Sequence, residues 1–88
     1  MNEEEIIARV RTLHPQAVID IAGEDCSFEL YVVSEAFTGV SILKRQQPIL
    51  ALFKEEINNG SLHALTIKAK TPAELSSQGG LIQIQPLA

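Results

Sequence analysis

Two side chains in this sequence are of types that ligate soft or borderline metals: His63, just ahead of a β-prone run, and Cys26, the single cysteine, in a turn. One histidine and one cysteine cannot close a tetrahedral site, so a metal held here needs a second protein or small thiols such as glutathione to complete it. Both residues also have plainer readings. His63 shares strand parity with Leu65 and Ile67 and could be a satisfied core residue. Free cysteine is among the most often buried residue types and packs as a small hydrophobe. Glu24 and Asp25 beside Cys26 disfavour the thiolate that a redox-reactive cysteine requires. No Asn or Asp is placed to orient a Cys-His dyad, so catalysis is not expected. His14, next to Pro15 at a helix end, takes no role.

A second constellation is basic. Lys44 and Arg45 fall at a predicted turn between two helices, and with Lys68 and Lys70 they could form a patch for DNA, for an acidic partner surface, or simply a solvated rim. A nucleic-acid-binding KH domain would carry a Gly-x-x-Gly clamp at that turn, and Arg45-Gln46-Gln47-Pro48 stands there instead. The net charge of -4 and the pI near 5.0 also oppose a phosphate backbone as main partner.

The rest of the composition is that of one small folded domain. Its 88 residues are 45% hydrophobic and 20% charged, too few for two separate cores and too apolar for a disordered chain. A lone cysteine allows no intrachain disulfide and suits a reducing compartment. The opening Met1-Asn2-Glu3-Glu4-Glu5 is acidic where a secretory or mitochondrial leader is basic, and no apolar run approaches the roughly 18 residues that span a bilayer. A soluble, cytoplasmic protein with no membrane partner is the expectation.

These side chains must be positioned by few elements. Asn2 as N-cap with Glu5 three residues on, then Ile6, Ile7, Val10 and Leu13, predicts an amphipathic helix that stops near His14, before Pro15. Residues 17–21 and 27–34 read as a hairpin around Gly23-Glu24-Asp25, with Phe28, Leu30 and Val32 facing the core and Ser27, Glu29 and Tyr31 facing away. Residues 40–47 and 49–57 read as two helices, with Pro48 in the first turn of the second and Asn58-Asn59-Gly60 as its left-handed stop. Residues 62–69 read as a third strand. Thr71-Pro72-Ala73-Glu74 is a capping box opening a last helix, which ends by Gly80. The order α-β-β-α-α-β-α, with a long connection from second to third strand, predicts an α+β two-layer sandwich. Its three-stranded sheet is mixed, with helices on one face, as in class II KH-like domains. Residues 1–80 form the domain and 81–88 a tail or short edge strand.

Three collinear blocks from about Val18 to Glu74 carry a resemblance. Phe28-Glu29-Leu30-Tyr31-Val32-Val33-Ser34, running on to Phe37 and Gly39, resembles the signature of the BolA family. Lys44-Arg45-Gln46-Gln47 with Leu52 and Lys54-Glu55-Glu56-Ile57 is similar to the family's helix pair, and 63–74 to its most recognisable stretch. Gln46 stands where many members have histidine, in the Gln-Gln form of a bacterial branch. Leu75 stands where many have tryptophan, which removes a packing anchor.

The resemblance implies a non-enzymatic adaptor that pairs with a monothiol glutaredoxin and shares a 2Fe-2S cluster with it in iron-sulfur cluster assembly, trafficking or iron sensing. The chain alone would hold no cofactor. His63 matches the family's ligand histidine, and Cys26 lies in the loop that usually supplies a second ligand. The resemblance also allows a DNA-binding transcription regulator, linked to stress response, that uses the helix-turn-helix surface with Lys44 and Arg45. A third reading is a weak homodimer pairing through sheet edges.

Overall fold

The computed structural model describes residues 2–24 and 27–79, so the expectation for 81–88 lies outside the described residues. Helix α1 spans Glu3–Leu13 and opens on the predicted capping box: the Asn2 side chain accepts from the Glu5 N–H at 2.9 Å while the Glu5 carboxylate accepts from the Asn2 N–H. His14 caps its end, and Ile6 and Val10 are fully buried. Leu13, expected on the same stripe, is largely exposed.

Strand β1 spans Val18–Glu24 and pairs antiparallel with β2, Ser27–Val33, which pairs in parallel with β3, Ala64–Lys70. The sheet order is β1-β2-β3. Its register stacks Ile21, Leu30 and Ile67 in one row and Ile19, Val32 and Ala69 in the next, all packed in or against the core. The opposite parity gives Asp20, Tyr31 and Lys68, then Val18, Val33 and Lys70, on the face turned away from the core. Strand β1 runs three residues beyond its expected end. Gly23 is not part of the turn: it sits in the ladder opposite Phe28 with φ +123.

A short 310 helix, Glu35–Phe37, follows β2 and buries Phe37. Helix α2 then spans Ile42–Ala51, and α3 spans Lys54–Asn59, ending on Gly60 at φ +87 as expected. The predicted break at Pro48 is corrected: Pro48 lies inside α2, and the chain turns instead at Leu52 and Phe53, whose N–H groups bond three residues back to Ile49 and Leu50. Packing decides this. An unbroken α2 places Arg45, Gln46 and fully buried Ile49 on one inward side, while Pro48 lies on the exposed side, where the carbonyl left without a helical donor can be hydrated. The turn then drops Phe53 into the core.

Helix α4, Pro72–Gly79, opens on the second capping box, with the Thr71 N–H donating to Glu74 at 2.8 Å and the Glu74 N–H to the Thr71 hydroxyl at 3.1 Å. Two bidentate ion pairs tie helices to one another. Arg9 of α1 pairs with Glu56 of α3 at 2.8 Å, lies over the Phe53 ring, and donates to the Leu52 carbonyl. Arg45 of α2 pairs with Glu74 at 2.7 and 3.0 Å.

These pairs set an acid response. Arg45 and the Thr71 N–H hold the Glu74 carboxyl down at about 2, and hydrogen bonding to Arg9 lowers that of Glu56. A carboxylate with a depressed folded pKa contributes stability above its ordinary value of 4.5, and that contribution is lost as pH falls towards the folded pKa. Burial lowers the pKa of His14, so protonation below its ordinary 6.5 also costs stability. The melting temperature should therefore decline on acidification first below about pH 6.5 and more steeply below about pH 4.5. The Glu74→Gln variant should start lower at neutral pH and lose part of the second decline. An unchanged pH profile for this variant would show that the pair contributes nothing.

Candidate functional site

His63 occupies the first position outside β3, between fully buried Leu62 and Ala64, which begins the strand. The expected strand start at 62 is thus corrected by two residues. The parity that aligned His63 with Leu65 and Ile67 does not hold it in the core, because the pleat begins only at Ala64. The side chain is exposed.

Its neighbourhood follows from the sheet register. Ala64 pairs with Ser27, and Ser27 pairs with Glu24, so His63 lies at the end of the sheet where β1 passes to β2. Cys26 belongs to that connection and lies outside the described residues, as does Asp25. At that end of the sheet a shallow cleft of about 360 Å³ is lined by Ala22, Gly23, Ser27, Glu29, Ala64 and Thr66, among others. Gly23 makes this corner possible. A Cβ there would stand 2.3 Å from the Ser27 carbonyl oxygen and 2.9 Å from the Phe28 Cα, in a backbone region that L side chains rarely adopt. The Gly23→Ala variant should lose about 2 kcal/mol or more in denaturant unfolding and shift the amide resonances of Ser27 and Ala64. A loss below about 0.5 kcal/mol would show that the corner relaxes freely.

Among the described residues, no three His, Cys, Asp or Glu side chains are placed to hold a metal together. An exposed imidazole at a strand entrance is chemically suited to be one ligand of a centre whose other ligands come from elsewhere. His14 cannot join it. Its ring packs at a tilt against Phe37, with centroids 4.8 Å apart, past the far end of β2, whereas His63 adjoins the near end. Seven residues of strand, about 23 Å, separate the two ends.

The four cations do not come together. Lys44 is exposed on α2, whereas Lys68 and Lys70 project from the other face of the sheet, away from α2. Arg45 is only 6% exposed, and its donors are engaged: Nε to the Val40 carbonyl at 2.8 Å, Nη1 to the Ala69 carbonyl at 3.0 Å, and both Nη atoms to Glu74. Gln46 likewise donates to the Ile67 carbonyl at 3.0 Å. The structural work of Arg45 and Gln46 was missed in the sequence reading, although Ile42, Arg45, Gln46 and Ile49 have the spacing of one helical side.

Comparison with known proteins agrees with this architecture. The family described as BolA-like protein matches residues 6–74. The chain is similar to SufE-like protein 1 of Arabidopsis thaliana, with 49% identity over 61 residues, which cover 67% of this chain but only 16% of that larger protein. It is 38% identical over 56 residues to the acid stress protein IbaG of Escherichia coli, covering 64% of this chain and 67% of the relative. The solution structure of BolA1 from Mus musculus superposes with a TM-score of 0.69 at 31% identity, covering 91% of this chain and 72% of that one. The matched span takes in both paired helices, the mixed sheet, His63 and the second capping box. With that extent of agreement, the chain belongs to the BolA-like protein family.

Proposed function

We propose that this chain is an adaptor that pairs with a monothiol glutaredoxin and contributes His63 to a 2Fe-2S cluster shared between the two proteins. The observation that carries the reading is the exposure of His63 at the entrance of β3, beside the β1–β2 connection that contains Cys26. A side chain placed there reaches a centre held mainly by another molecule without unpacking the core. Cys26 is the second candidate ligand from this chain, and the partner with its thiols supplies the rest. The cluster serves iron-sulfur assembly, trafficking or iron sensing. The adaptor binds and hands on, and catalyses no reaction itself. A reducing cytoplasmic setting suits its single cysteine.

The DNA-binding alternative would draw on Lys44 but not on the engaged guanidinium of Arg45, so it gains no support from the geometry of α2. The decisive experiment is the visible absorption and circular dichroism of this chain co-expressed with a monothiol glutaredoxin. The expected result is a coloured heterodimer whose spectrum differs from that of the glutaredoxin alone. Separate elution of the two proteins, with all colour on the glutaredoxin, would reject the proposal.

A further inference from the structure

The face of the sheet turned away from the core has a chemistry that the His63 site does not use. Val18 is 69% exposed, Tyr31 is 37% exposed and Leu75 of α4 is 42% exposed, with Val33 half-buried among them. Asp20, Tyr31, Val33, Lys68, Lys70 and Leu75 line a cleft of about 470 Å³. The apolar seam of Tyr31 and Val33 lies on the central strand, next to Glu29, whose carboxylate accepts from the Tyr31 hydroxyl; Asp20 lies on the β1 side, and Lys68 and Lys70 on the β3 side. Neither lysine forms an ion pair within 4.0 Å among the described residues, although Lys70 is near enough to help lower the pKa of Glu74. In a chain of net charge -4, two such cations side by side, flanking exposed apolar surface, form a local field of the opposite sign.

We propose that this face is a docking surface for a single amphipathic helix of a partner protein, with acidic residues at i and i+4 along one flank of its apolar stripe. The dimensions favour one helix. Three strands span about 10 Å across the face, close to the roughly 10 Å width of one helix. Lys68 and Lys70, two residues apart on a strand, are about 6.6 Å apart along it, and residues at i and i+4 on a helix rise about 6 Å. A seven-residue strand of about 23 Å accommodates about 15 helical residues. The apolar stripe covers Tyr31, Val33 and Leu75, the acidic flank meets the lysines, and a basic residue on the other flank meets Asp20. This surface is independent of the cluster reading, since no residue in it is a proposed ligand.

The test is an NMR titration of the whole chain with two synthetic 15-residue helical peptides. Both have a leucine stripe: one carries Glu at i and i+4 on the flank, the other Lys at the same positions. The Glu peptide should move the amide resonances of Tyr31, Val33, Lys68, Lys70 and Leu75. A double charge reversal, K68E/K70E, should weaken its binding at least about tenfold and transfer preference to the Lys peptide. His63→Ala should leave this binding unchanged, so failure here and failure of the cluster reading are separately visible. The proposal is overturned if neither peptide binds at millimolar concentration, if both bind equally, or if the shifts map to α1, α2 and α3. It is also overturned if phosphatidylglycerol vesicles, rather than either peptide, produce the lysine-dependent shifts.

Discussion

In the proposed complex with a monothiol glutaredoxin, replacing His63 by alanine should shorten the lifetime of the 2Fe-2S cluster at least about tenfold, or abolish its visible absorption, while leaving the fold intact. The size follows from coordination: loss of a hydrogen-bonding partner behind a ligand already costs about 10- to 100-fold in metal affinity, and loss of the ligand itself costs no less. The specificity follows from position. His63 is exposed and outside β3, and substitutions at such sites usually change stability by less than about 0.5 kcal/mol. Thermal melts of the variant should therefore overlay those of the parent chain while the spectra of the pair diverge. His63→Cys supplies the sharper comparison, because a thiolate can take the imidazole's place but lowers the reduction potential. Equal cluster lifetimes for the parent chain and the alanine variant would show that the imidazole is not a ligand.

The largest loss of stability should come from Phe53→Ala. Phe53 is fully buried at the turn between α2 and α3, and the Arg9 guanidinium lies 5.5 Å from its ring centroid. Truncating a buried phenylalanine costs about 3 to 5 kcal/mol, from lost transfer free energy and the cavity left behind. A domain of this size has about 4 to 13 kcal/mol in all. The variant should thus melt about 12 °C or more below the parent and be partly unfolded at physiological temperature. Urea unfolding measures the difference directly. A cost below about 1 kcal/mol would mean that α1 and α3 close over the void, and that this turn does not anchor the helical layer.

The parts of this fold that were legible in the sequence are those set by local chemistry. Asn2 with Glu5, and Thr71 with Glu74, satisfy orphan helix N–H groups through contacts three residues apart, so they can be read without tertiary information. Phe28, Leu30 and Val32 declare their face by alternation, and Gly60 declares a stop by its tolerance of positive φ. What was not legible depends on contacts between distant segments. Pro48 looks like a helix start to a local reading, but Arg45 and Gln46 must reach β3 and Ile49 must reach the core from the same helix, and these requirements outweigh the proline. The basic patch failed to assemble for the same reason. A surface cation and a buried one are indistinguishable until their partners are known, and Glu74 is 29 residues away from Arg45. His63 was legible as a residue type and through its motif, whereas its exposure followed from where the pleat begins.

The carbonyls of Ile67 and Ala69 that accept from Gln46 and Arg45 point away from β2, since Lys70, of the other parity, accepts the Ser34 N–H. That flank of the sheet is plugged by side chains, and β1 offers the more accessible flank for main-chain pairing. Two copies could zip together there, but each would then present its stoppered side outward. A further strand could join at that side only by displacing Gln46 and Arg45 from the carbonyls they occupy.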